Sequence, residues 1–403
     1  MAVNDLTYTD VSAVLAAINA QATGRAVLAP VNTADFVALA QTTLKMGYDV
    51  VTNAISQVLS RTIFSVRPYT RKFRGLEADT IRYGNHVRKI NYIDDDPTAD
   101  RAFLATSLTD GSSTDPWIVN KKKVVQTNFY GQTGYSRFRT YYRNQLNMAF
   151  SGPDELARFW AGATQADSDM IEKDHEEFAR AALANYIGGK MAQETGSIET
   201  TGVIHLLTEY NAWANFATPL TINDLFDPAN FPGFIRWMWA RIETLSNMME
   251  ERSSLYHQTF VDGNGNDLRL ERHTPKADQI LYLNNGIKNQ ARSNVLSMTW
   301  NPELVPVKEG ELVNFWQSIN DPLDIDVTAG YTDKNGAVQS SAVTSSVVLG
   351  VLLDREAVGY TITDTWTMAT QMNAAGGYYN QWYHYTDRYW NDFSENGIVL
   401  VLD

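Results

Sequence analysis

Glu172 and His175 stand three residues apart in a segment that reads as helix, the spacing of half a carboxylate-bridged di-iron site. Such a site needs a second pair of the same kind, and the sequence offers none. The two residues therefore read as part of a charged, solvated helix face. Residues 262–273, DGNGNDLRLERH, begin like a calcium loop. Its sixth position is Asp267 where glycine is required, and its twelfth is His273 where a bidentate glutamate is required, so a tight turn is expected instead. There is no phosphate-cradling GxxxxGK, no GxGxxG, no GxSxG elbow and no HExxH helix. His86, His175, His205, His257, His273 and His384 never fall at ligand spacing. No catalytic residue, metal ligand or cofactor is assigned, and the chain does not read as an enzyme.

Charge is distributed in blocks. From Lys121 to Arg143 there are six bases (Lys121, Lys122, Lys123, Arg137, Arg139 and Arg143) and no acid. From Asp154 to Glu177 there are eight acids, among them Glu172, Glu176 and Glu177, against only Arg158 and Lys173. Solvated faces would look like this; so would basic extended segments of one subunit laid across the acidic helix of a neighbour. Net charge over the 403 residues is -13, which argues against a protein whose task is gripping nucleic acid. With no cysteine, disulfides, thiolate catalysis and Cys-ligated zinc are excluded. Tyr (20), Phe (16) and Trp (10) are abundant and favour extensive cores or interfaces. The start, MAVNDLTYTD, lacks the positive charge and apolar run of a secretory signal, and no apolar stretch approaches the roughly 20 residues needed to span a bilayer.

These residues must be held by identifiable elements. Val11, Val14, Leu15 and Ile18 mark a short helix, and Phe36, Ala40, Leu44, Val51, Ile55, Val58 and Leu59 a second, longer stripe. Such a helical arm has little to bury against locally. Residues 62–92 turn extended, 94–115 are polar, and 121–143 are extended again, so that about 75–150 reads as a long two-stranded excursion. Pro153–Lys190 is the clearest helix, with Gly188-Gly189 expected to stop it. A further helix follows FPGF, with Trp237, Ile242, Leu245 and Met249 on its apolar side. DGNGND and VTAGYTDKNGAV read as hairpin turns, and 345–354 as a buried strand.

The tail, GYYNQWYHYTDRYWNDFSENGIVLVLD, admits two readings: an exposed platform of rings that stacks on sugars, or a buried seam closed by a last strand. The final IVLVL favours the seam, with Trp382, His384, Arg388 and Trp390 in a C-terminal core. The same tail resembles the C-terminal signature of major capsid proteins from small, podovirus-like tailed phages. In them an apolar strand and a D-R/K-E-A-V/I element, here Leu352–Val358, precede a long run. Asn380, Trp382, His384, Tyr385, Thr386, Arg388, Trp390, Asn391, Asp392, Ser394, Glu395, Asn396 and Gly397 fit that run. RHTPKADQILYL (272–283) also resembles a stretch of these proteins, and together the two cover about a quarter of the chain.

The resemblance implies an α+β subunit with the Hong Kong 97-type capsid fold. It would have an N-terminal helical arm (1–60), an extended loop with flanking strands (61–152), a peripheral domain with a spine helix (153–205), an axial domain (206–345) and a C-terminal return (346–403). It implies a structural protein that assembles with itself, as pentamers and hexamers, into an icosahedral shell around double-stranded DNA. Scaffolding, portal and decoration proteins would be its partners, without sequence-specific DNA contact or a membrane. Its place would be the virion, after assembly in the host cytoplasm. The alternatives are an aromatic-rich carbohydrate-binding protein, which needs Trp382 and Trp390 exposed, and a hydrolase with an unadvertised carboxylate pair.

Overall fold

The computed structural model describes residues 8–24, 28–45, 71–78, 87–93, 110–111, 117, 119, 122–130, 132–145, 153–195, 202–268, 270–287 and 312–403. In chain order the elements begin with helices α1 (Tyr8–Thr23) and α2 (Thr33–Lys45) and strands β1 (Val87–Tyr92), β2 (Val124–Phe129) and β3 (Gln132–Tyr142). Helix α3 (Pro153–Thr195), strand β4 (Val203–His205), helices α4 (Leu206–Ala214), α5 (Ile222–Leu225) and α6 (Phe231–Glu250) follow. Short strands β5 (Phe260–Val261) and β6 (Asp267–Leu268) precede β7 (Gln279–Leu283), β8 (Ile325–Thr332) and β9 (Val338–Ser345). The chain closes with β10 (Val348–Asp354), β11 (Val358–Ala369), β12 (Tyr378–Asn391) and β13 (Gly397–Val401). Two compact units result, one from residues 1–84, 131–178 and 360–389, the other from 85–130, 179–359 and 390–403.

The first unit holds the α1–α2 pair and the antiparallel sheet β11-β12-β3. Contrary to the expectation of an arm without local burial, Leu15, Ile18, Phe36 and Ala40 are fully buried. An Asn19–Thr43 side-chain hydrogen bond of 2.7 Å ties the two helices together. The helical stripe expected beyond Lys45, and the polar 94–115 stretch apart from a turn at Asp110–Gly111, lie outside the described residues.

The second unit is built on the sheet β4-β13-β10-β7. Strands β10 and β13 are buried at every position, as central strands covered on both faces must be. On one face, Leu281, Leu352, Ile398 and Leu400 pack with the stripe Phe231, Phe234, Ile235, Met238, Ile242, Leu245 and Met249 of α6. Trp237, expected on that stripe, is only partly buried. Both expected hairpin turns form: Asp262 Oδ1 accepts from the amides of Asn264 and Asn266, and Asp333 Oδ1 from those of Asn335 and Ala337.

Gly188 and Gly189 do not end α3, which runs on to Thr195. Packing explains the difference. A Cβ on Gly188 would collide with Val327, and one on Gly189 with the Phe393 ring. The glycines are a contact surface for close approach, and burial of Tyr186, Ile187 and Ala192 around them outweighs the roughly 1 kcal/mol per glycine that helix propensity costs.

Candidate assembly surfaces

Strand β3 pairs with β12 from Gln132↔Arg388 to Tyr142↔Tyr378. The register sets aromatic residues opposite one another: Tyr135 with Tyr385, Phe138 with Trp382, Tyr141 with Tyr379, and Tyr142 with Tyr378. Because side chains alternate across a strand, the two members of each pair share a face, and the faces differ in what they meet.

One face lies on the first part of α3. Arg137 Nε donates to Asp174 Oδ2 at 2.6 Å, and the Tyr385 hydroxyl donates to the same carboxylate. Arg139 pairs with Asp167 at 2.6 Å, and His175 Nδ1 lies 2.8 Å from Asp387 Oδ2 with both side chains buried. Burial pushes the Asp167 carboxyl up, opposed by the Tyr383 hydroxyl and the Arg139 charge, while burial and the Asp174 contact push the Tyr385 hydroxyl up to about 12. Arg71 adds an ion pair with Glu77, another with Glu172 at 3.4 Å, and lies over the Tyr360 ring. Of these pairs only His175–Asp387 is buried on both sides, while Arg137 and Arg139 stay partly exposed, so the ion pairs orient the sheet on α3 and each adds only modest stability.

The opposite face is open. Trp366 stacks on His384 at 3.8 Å, Trp382 lies 6.1 Å beyond, and Phe138 packs 4.7 Å from Trp382. This row crosses all three strands, and Phe138, Tyr142, Trp366 and Met368 are exposed. Singly exposed apolar side chains are ordinary, but a contiguous aromatic row marks a contact surface.

In the second unit, β1 and β2 form an antiparallel hairpin anchored from one side. Lys89 Nζ reaches Glu395 at 2.5 Å, Asp392 at 2.9 Å and Glu356 at 3.2 Å. Burial, the largest single influence, pulls the lysine's pKa down, but Asp392 and Glu395 together raise it above its ordinary value. On the other side of the hairpin Ile90, Tyr92 and Val124 are exposed.

Among the residues singled out from sequence, Lys121 lies outside the described residues, and Lys122, Lys123 and Arg143 are exposed. Arg137 and Arg139, assigned from sequence to a neighbour's acids, each have a carboxylate partner in their own chain, because odd positions of β3 face α3. Glu172 meets Arg71, Glu176 is buried, and Glu177 is exposed beside Lys173 at 3.4 Å. Arg388 is buried, whereas Trp382, His384 and Trp390 are only partly so. The ring that ties the C-terminal segment to α3 is Phe393, stacked on Tyr186 at 5.1 Å, while Trp390 covers Gly359. Sequence reasoning passed over Asp167, Asp174 and Lys89, whose partners lie tens to hundreds of residues away. Among the described residues no group of three or more His, Asp or Glu side chains could hold a metal ion, and no helix is long and apolar enough to cross a membrane.

A family model described as Phi29-like phage major capsid protein matches residues 15–401. No curated protein sequence matches significantly. Among solved structures, a chain from the capsid of Staphylococcus phage Andhra is 12% identical, with 85% of this chain and 87% of that chain covered and a TM-score of 0.51. A chain from the structure of the head fiber and inner core protein gp22 of native bacteriophage P68 is 11% identical, with the same coverage and a TM-score of 0.50. At such identities the likeness is one of fold.

Proposed function

The chain belongs to the family of Phi29-like phage major capsid proteins, and from that premise we propose that its copies form pentamers and hexamers that close into an icosahedral shell around double-stranded DNA. It is a shell-forming structural protein with the Hong Kong 97-type capsid fold. The carrying observation is the family match along residues 15–401, nearly the whole chain. In this reading 1–60 is the arm, 61–152 the extended loop with its flanking strands, 153–205 the peripheral domain with α3 as spine, 206–345 the axial domain, and 346–403 the return. The work is structural and needs no catalysis. A net charge of -13 suits a wall that encloses DNA without adhering to it, and so without sequence-specific contact. Scaffolding, portal and decoration proteins are the expected partners, and the host cytoplasm the place of assembly.

Between subunits, Lys121, Lys122, Lys123 and Arg143 are the bases directed at a neighbour, with Glu177 as the exposed acid; Arg137 and Arg139 act by stiffening the sheet that carries the contact. The open aromatic row of β3, β12 and β11 is the apolar part of that surface. Sedimentation and electron microscopy of the purified protein test the reading. Rings or closed shells are expected, and a monodisperse 45.2 kDa monomer across salt, crowding agents and added scaffold would refute it. Nothing among the similar proteins supports the carbohydrate-binding alternative.

A further inference from the structure

Hairpin β8–β9 is a two-stranded sheet with eight residues on each side and two unlike edges. The outer edge of β8 is closed by side-chain amides that imitate a neighbouring strand. Gln317 donates to Asp326 O and accepts from Asp326 N, at 3.0 and 2.7 Å. Asn185 does the same for Gly330, at 3.2 and 2.9 Å. Since Asp326 and Gly330 point their amides and carbonyls outward, their partners across the hairpin, Thr344 and Ser340, point theirs outward from β9, and so do Ala342 and Val338. Among the described residues none of these four backbone positions on β9 has a hydrogen-bonding partner.

The edge also lacks the usual protections. Val338–Ser345 reads VQSSAVTS, with no charge, no proline and no bulge, and it is exposed along most of its length. Natural proteins blunt such edges unless something pairs with them. We propose that β9 pairs antiparallel with β9 of a second copy of this chain, centred on Ser341, making a continuous sheet β8-β9-β9-β8 across the subunit boundary. This deepens the shell-subunit reading and rests on it. In that register outward positions meet outward positions: Val338 faces Thr344 and Ser340 faces Ala342, with about eight main-chain hydrogen bonds across the seam. The strand suits its own copy. It has no charges to repel, its centre is made of the small residues Ser340, Ser341 and Ala342, and a β-branched pair closes each end. The occupant is therefore a second β9, because an isologous contact needs a self-complementary strand and this one is.

The chain has no cysteine, so Ser341→Cys carries a single thiol. Across the two-fold the two thiols fall in a non-hydrogen-bonded pair within disulfide reach, and mild oxidation of assembled particles should link subunits as dimers, at least ~tenfold more than for Thr344→Cys in the same strand. Ala342→Lys, at an exposed position, should leave the subunit's melting unchanged and lower particle yield at least ~tenfold, through like charges near the seam. Particles of Ser341→Cys without linked dimers, equal linking by Thr344→Cys, or parental particle yield from Ala342→Lys would each overturn the pairing and leave the shell reading intact. A parent chain that forms no particle takes both down.

Discussion

Lys190 is fully buried in the second part of α3, where its Nζ donates to the Tyr256 carbonyl at 2.8 Å. Burial pulls its pKa down to about 7, and Asp392, the one charge acting against burial, does not restore it. The ordinary value is 10.5, so between about 7 and 10.5 the unfolded chain binds a proton that the folded chain does not. Stability must then rise with pH across that window, by about 1.4 kcal/mol per unit, with a ceiling of about 5 kcal/mol over the full gap. Two neighbours titrate outside the useful range. His257 is pushed down from 6.5 by its burial, and Tyr186 is pushed well above 10 by its own. Lys190→Met keeps the volume and removes the titration, and it leaves the Tyr256 carbonyl without its donor at a pH-independent cost of about 1–3 kcal/mol. Urea unfolding of dissociated subunits at pH 7.5, 8.5 and 9.5 measures both proteins, and the difference between them cancels every shared titration. The parent should gain about 2–3 kcal/mol on the variant from the lowest to the highest pH. A difference that stays constant with pH would show that Lys190 is charged in the fold, and the reasoning would fail.

Two further outcomes follow from close packing and from the loop anchor. Gly189→Ala, which helix propensity alone would make stabilising, should instead destabilise by about 1–3 kcal/mol through collision with Phe393, read as a lowered thermal midpoint; an unchanged or raised midpoint would disprove the contact. Lys89→Met should leave Asp392 buried without its cation and Glu395 with Arg272 alone, costing about 3–5 kcal/mol and opening β1–β2 to limited proteolysis, whereas parental resistance would show that the anchor is dispensable.

What the sequence disclosed was whatever is written locally. Asn-Gly and Asp-Gly clusters announced the turns at 262–267 and 333–336, an unbroken apolar run announced β10, and periodicity with a proline start announced α3. Gly188-Gly189 misled because its meaning lies in Val327 and Phe393, far along the chain. The charge blocks were visible, but not the pleat that turns Arg137 and Arg139 toward Asp174 and Asp167 of the same molecule. The C-terminal aromatics were recognisable as a unit. Only the register shows that alternate residues face α3 and solvent, so that one face of the strand is the expected seam and the other is exposed.

The order of strands has a consequence for how the chain is made. β13 lies between β10 and β4, and β12 lies between β11 and β3, so each main sheet receives a central strand only after all its other strands have been made. At ordinary translation rates of about 5–20 residues per second, the stretch from the end of β3 to the start of β12 takes roughly 12–50 s to make. Until then β10 and β4 have no strand between them, α6 faces an incomplete core, and β3 has nothing to pair with. A nascent chain therefore cannot present the aromatic row, because Trp382 and His384 are on the strand that has yet to emerge. Strand order thus delays the aromatic row until β12 has been made, and a chain that stops before Tyr378 lacks that part of the contact surface.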